Sequence, residues 1–166
     1  MKQLTHNETI NNQRKFPITI VCDAIRTPEN IGMCFRIAES FGIEKIYLHE
    51  NSAHLQNRKI QKTSRNTIDQ IEHARYSDFN DLILNLKNDG LLVVGLEITD
   101  NSTKIQDFDF KAYPKIALVV GSERNGITNI DLLDKSIAIP MFGKNSSMNV
   151  IHSLAIALYE ITNQLS

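Results

Sequence analysis

An α/β fold with a mainly parallel sheet flanked by helices is predicted by three features of this sequence. Runs of β-branched and apolar residues read as strands buried on both faces, helical apolar stripes alternate with them, and glycine or proline stands at the junctions. At 166 residues, 42% of them hydrophobic, the chain is the size of one domain with a substantial core. Residues 1–15 are polar and aperiodic and read as a lead-in, with some helix allowed, which leaves 16–166 as a single folded domain.

Phe16 to Cys22 has the composition of a buried strand, and Pro28 and Asn30 then mark the start of a helix. Ile31, Cys34, Phe35, Ala38 and Phe41 share one face of that helix, and Gly42 stands where a left-handed cap would close it. A strand follows at Lys45–His49. Residues 50–70 have little apolar period but carry Arg58, Lys59, Lys62 and Arg65, so they read as a long, basic, mobile connection. Glu72–Tyr76 is a short strand. Asp78 can cap a helix with Phe79, Leu82, Ile83 and Leu86 on one side and Gly90 as its stop. Leu91–Ile98 and Lys115–Val120 are strands buried on both faces, and Ser136–Ile139 is a strand ending at Pro140. A polar Gly/Asn/Ser loop, Met141–Met148, leads to a last helix from Asn149 to Gln164. Ile151, Leu154, Ala155, Leu158, Ile161 and Leu165 form its stripe, widened by Val150, Ile156 and Ala157. Such a helix either meets a partner subunit as well as its own sheet or is deeply buried in a monomer; the pattern weighs these equally.

A formal charge of −1 gives no whole-molecule field for nucleic acid, so any grip on a polyanion must be local. Cys22 and Cys34 both sit in apolar surroundings and read as buried reduced thiols. The polar N-terminus has no signal-like apolar stretch and no run is long enough to cross a bilayer, which points to the cytoplasm. Histidines 6, 49, 54, 73 and 152 have no metal-ligand spacing with one another or with the cysteines, so no metal is expected.

Three segments place small or polar residues just past the carboxyl ends of strands, where open α/β sheets bind ligands: 30–36, 121–126 and 140–149. The middle one, G-S-E-R-N-G, permits close backbone approach to a ligand and offers the acceptors of Glu123, although alone it reads as a loop with a solvated carboxylate. It is not the G-x-G-x-x-G fingerprint of dinucleotide-binding folds. Taken in order, N-I-G-M-C-F-R, V-V-G-S-E-R-N-G-I and I-P-M-F-G-K-N-S-S-M-N-V resemble the three motifs of the SpoU/TrmH branch of the SPOUT methyltransferases, and Lys62–Ser64 resembles the family's middle loop. The likeness spans roughly residues 16–164.

That resemblance implies a C-terminal deep trefoil knot, S-adenosylmethionine held by the knot loops with S-adenosylhomocysteine as product, a homodimer, and methylation of a ribose 2′-hydroxyl of RNA. Substrates in the family are tRNA or rRNA, and a chain with the catalytic domain alone leans to tRNA. A knot runs against the usual expectation of unthreaded chains. By resemblance, Asn30, Arg36, Glu123, Ser147 and Asn149 are catalytic, and Gly121, Glu123, Ile139, Met141, Met148 and Asn149 hold the cofactor. Each has a plainer alternative. Asn30 is also a candidate N-cap, Ser147 and Asn149 can cap the last helix, and Ile139, Met141 and Met148 can be core. Arg36 lies off its helix's apolar stripe, and its guanidinium suits a bidentate grip on phosphate and charge stabilisation at the ribose oxygen. Arg14, Lys15, Arg26, Arg58, Lys59, Lys62 and Arg65 are the candidate RNA contacts, against an ordinary solvated surface. Other readings keep the fold and methylate a base nitrogen, or bind RNA without turnover; an ordinary nucleotide-binding protein lacks its fingerprint here.

Overall fold

Among the described residues seven strands, β1 (Phe16–Cys22), β2 (Ile43–His49), β3 (Glu72–Tyr76), β4 (Leu92–Leu96), β5 (Thr103–Lys104), β6 (Ile116–Val120) and β7 (Lys135–Ala138), join in one sheet. Their order is β3-β2-β1-β6-β4-β7-β5, and every ladder is parallel. The computed structural model describes residues 1–5, 8, 9, 11 and 13–166. The helices around the sheet are α1 (Pro28–Ser40), α2 (Arg58–Ser64), α3 (Phe79–Asn88) and α4 (Val150–Leu165).

Period-two alternation sorts the strand side chains between two helical layers. Ile18, Ile20 and Cys22 of β1 and Ile116, Leu118 and Val120 of β6 meet α1 and α4, together with Ile31, Phe35, Ile151 and Leu154. Val21, Ala117 and Val119 point the other way, onto Phe79, Leu82 and Ile83 of α3. On α3 the Asp78 carboxylate caps the Asp81 N–H, and Gly42 and Gly90 close their helices with φ of 63° and 81°, as their positions predict. Cys22 and Cys34 are buried and free, with sulfurs 3.6 Å apart; their mutual hydrogen bond and burial push the Cys22 thiol up, which leaves it unreactive.

The structure corrects the expectation of a long mobile connection at 50–70. Arg58–Ser64 is helical, capped by the Asn57 side chain on the Lys59 N–H, and a further helical turn spans Ile68–Gln70. Ile60, the one large apolar residue of α2, is fully buried against α1. The approach is set by Gly32: a Cβ there would lie 2.0 Å from Thr63 Oγ1 and 2.6 Å from the Ile60 carbonyl oxygen. The 49–53 turn is held by Arg75, whose guanidinium donates to four carbonyl oxygens at 2.9–3.2 Å. Further corrections are smaller. Phe41 is the C-cap of α1 and only half-buried, and the β4 ladder stops at Leu96. On α4 the buried face runs through Ala157 and Thr162, leaving Ala155 half-buried and Ile156 exposed.

The expected polar lead-in includes residues 6, 7, 10 and 12, which lie outside the described residues; Met1–Thr5 and Gln13–Lys15 are exposed. No described helix is long and apolar enough to cross a membrane, and among the described residues no group of His, Cys, Asp and Glu is arranged to hold a metal ion.

Candidate active site

The carboxyl ends of β6, β4 and β7 open into one cavity of about 300 Å³, the size of a small-molecule site. The turn after β6 forms one rim. Ser122 and Gly126 pair across it, with N–H···O bonds of 3.0 and 3.2 Å, and the Ser122 hydroxyl accepts the Asn125 N–H. This hairpin is tight enough to exclude a side chain at Gly121, whose added Cβ would meet the Gly126 carbonyl carbon at 2.2 Å and oxygen at 2.5 Å. Gly126 itself has φ of 65°. The floor is apolar, from Leu96, Ile137, Ile139, Met141, Met148 and Val150, and the opposite rim carries Ser147, Asn149 and Ser153.

All the residues assigned to the cofactor by motif resemblance line this cavity: Gly121, Glu123, Ile139, Met141, Met148 and Asn149. Asn149 is the N-cap of α4, its side-chain oxygen accepting the Ile151 N–H at 2.8 Å, so its cap and cavity positions coincide. Ser147 makes no such bond among the described residues and stays exposed at the rim, which removes capping as its role.

Asn30 is not the cap of α1, which begins after Thr27 with Pro28 in its first turn; this corrects the capping alternative. Its amide instead donates to Glu123 Oε1 at 2.7 Å across 93 residues of sequence, joining the first and second motifs. Burial raises the Glu123 carboxyl, but hydrogen bonds from its own backbone, from Thr27 and from Asn30 outweigh this and hold it below the ordinary range. It is therefore an anion at neutral pH.

Arg36 does not line the cavity of its own chain. Six residues of helix carry it about 120° around the axis from Asn30 and about 9 Å along it. It is half-buried, and among the described residues no hydrogen bond or ion pair holds its guanidinium. The remaining basic candidates divide in two. Arg14 donates to the Leu165 carbonyl at 2.7 Å and lies over the Phe16 ring, Lys15 reaches the Ile43 carbonyl, and Lys59 pairs with Glu29 at 2.9 Å. Arg26, Arg58, Lys62 and Arg65 are exposed and without such partners among the described residues, Arg65 in a left-handed conformation at the end of α2.

Two residues escaped the sequence reading. Asp23, buried at the end of β1, accepts both the backbone N–H and the hydroxyl of Thr128 and so staples the 121–128 turn to the neighbouring strand. Its only signal was a lone acid after an apolar run. Glu97, hidden at the end of another such run, follows β4 into the cavity.

Comparison with known proteins gives the same three segments one context. The 23S rRNA (guanosine-2′-O-)-methyltransferase of Blochmanniella floridana is 28% identical over 150 residues, 89% of this chain and 58% of that protein. The SpoU methyltransferase AviRb from Streptomyces viridochromogenes, solved with its cofactor AdoMet, superposes with a TM-score of 0.81 at 23% identity, over 93% of this chain and 62% of that one. A structure described as giving insights into methylation of C/U34 on tRNA superposes at 0.77 with 20% identity, over 89% of this chain and 95% of that one. The chain spans less than two thirds of the length of the first curated relatives it matches. The parallel sheet and its flanking helices are the SpoU fold, with the C-terminal trefoil knot that fold implies. The SpoU rRNA methylase family matches residues 17–159, and the chain belongs to that family.

Proposed function

We propose that this chain transfers a methyl group from S-adenosylmethionine to a ribose 2′-hydroxyl of RNA, tRNA being the favoured substrate. The observation that carries this is the cavity after β6, β4 and β7, which fits that cofactor. It combines an apolar floor for a purine, a glycine turn too tight for any side chain, and two carboxylates, Glu97 and Glu123, that can accept from a ligand's hydroxyl and ammonium donors. Gly121, Ile139, Met141 and Met148 would hold the base, and Glu123 and Asn149 the polar end. Bound there, the cofactor supplies a methyl already activated on a sulfonium, so positioning the attacking oxygen provides much of the rate.

The protein's own groups then orient the acceptor. A guanidinium stays protonated at neutral pH and so has no lone pair with which to take the hydroxyl proton. Arg36 acts instead by clamping phosphate and stabilising charge on the ribose oxygen. Its place away from its own chain's cavity supports a homodimer in which Arg36 serves the partner's site, and the outer face of α4, with Ile156 and Tyr159 exposed, offers a surface for that contact. Arg26 just before α1, Arg58 and Lys62 on α2, and Arg65 at the end of α2, with the two helices packed together, would meet RNA phosphates. Paired reduced thiols in the core suit the reducing cytoplasm.

The test is incubation with S-adenosylmethionine and separated tRNA and rRNA. A methylated linkage that resists alkali, because its 2′-oxygen can no longer attack the phosphate, is the expected product. An alkali-labile, base-methylated product would refute ribose chemistry.

A further inference from the structure

We infer that Glu97 accepts the ribose hydroxyls of the nucleoside cofactor, a role that rests on the S-adenosylmethionine reading above. Glu97 directly follows Leu96, the last residue of β4, and lines the same cavity as Gly121 and Asn149. Its Oε1 accepts the Ile98 N–H at 3.0 Å, which fixes the carboxylate at the strand end. Its Oε2 lies over Gly126, where an added Cβ would come within 2.6 Å of it. Among the described residues no Lys, Arg or His forms an ion pair with Glu97.

A carboxylate has about four acceptor positions. One is filled here by the backbone, so the remainder are left for donors that enter the cavity. The apolar floor, where Ile139, Met141 and Met148 would hold the purine, continues through Leu96 and Ile137 to Glu97, and the group attached to a purine is a ribose with two adjacent hydroxyls. Glu123, the other carboxylate, is already engaged by Asn30 on the α1 side of the turn. An acidic side chain near a strand's carboxyl end is a recurrent receptor for ribose hydroxyls in α/β sheets. Glu97 thereby separates the cofactor from deoxynucleoside analogues.

Calorimetric titration of S-adenosylhomocysteine and of 5′-methylthioadenosine, which keeps the ribose but lacks the amino acid, tests this. Glu97→Gln should weaken both ligands alike, by about tenfold or more, while leaving the ligand-free melting temperature unchanged. In the wild type, the 2′,3′-dideoxy form of methylthioadenosine should bind weaker by a similar factor, and that difference should vanish in Glu97→Gln. The wild-type comparison stands even if the variant fails to fold. Weakening of S-adenosylhomocysteine alone would assign Glu97 to the amino group and overturn the proposal, as would equal binding of the dideoxy ligand by the wild type. Failure of the wild type to bind either parent ligand would overturn the cofactor reading, and this role with it.

Discussion

Replacing Gly121 by alanine places a methyl group 2.2 Å from the Gly126 carbonyl carbon, 2.5 Å from its oxygen and 2.6 Å from the Ile127 nitrogen. All three are backbone atoms of a turn held by two hydrogen bonds between Ser122 and Gly126 and stapled to Asp23 through Thr128, so no flexible side chain can move aside. Relief requires opening the turn. Overpacking costs about 1–3 kcal/mol and each weakened hydrogen bond about 0.5–1.5 kcal/mol, which places the destabilisation near about 3 kcal/mol. For a chain of this size that is a fall in Tm of about 6–12 °C. Scanning calorimetry of Gly121→Ala beside Gly143→Ala is the assay. Gly143 has nothing within 4 Å of an added Cβ, and its variant should stay within about 0.5 kcal/mol of wild type. S-adenosylhomocysteine binding should weaken in the first variant only. A Gly121→Ala protein that melts with the wild type and binds the ligand equally would refute the close-approach argument.

Gly32→Ala should separate α2 from α1 and lower stability by about 2 kcal/mol in urea titration, because the added methyl meets Thr63 and the Ile60 backbone. Asp23→Ala leaves the Thr128 N–H and hydroxyl without their acceptor and should cost about 2–4 kcal/mol by the same measurement. Glu123 titrates below its ordinary value of 4.5 in the folded chain, so its contribution to stability is present above that value and is lost as pH falls through the lower folded one. Melts recorded down to about pH 3 should accordingly show a steeper acid loss for wild type than for Glu123→Gln, with parallel curves at higher pH. Arg36→Lys should keep the wild-type Tm but lose methyl transfer at least about tenfold, since an ammonium cannot form the bidentate clamp; near-normal turnover would remove the clamp from the mechanism.

The strands were legible because period-two and continuous apolar runs carry their own boundaries: Phe16–Cys22 was read to the residue, and Ile116–Val120 to within one. Helix α2 was not, because seven residues with one large apolar side chain leave no period to detect; Ile60 and the absent side chain of Gly32 do the packing. β5 is two residues long and paired only through β7, which a local pattern cannot reveal. Physical reasoning picks out 121–126 and 140–149, which line the cavity, because each follows a strand, whereas 30–36 lies within α1 and reaches that rim only through the Asn30–Glu123 bond; the roles assigned to all three come from resemblance. The Asn30–Glu123 bond spans two motifs, and whether Asn30 caps its helix or reaches across the site depends on tertiary position. Asp23 and Glu97 were overlooked for a related reason: a single acid after an apolar run looks like any strand end until its partners are seen.

The most direct test of the central claim is transfer of labelled methyl from S-adenosylmethionine to fractionated cellular RNA, with the product nucleoside identified by mass spectrometry. The expected result is a 2′-O-methylnucleoside in the tRNA fraction, formed by the wild type and absent with Arg36→Ala. Cofactor binding with no transfer to any RNA fraction, or transfer undiminished by Arg36→Ala, would contradict it.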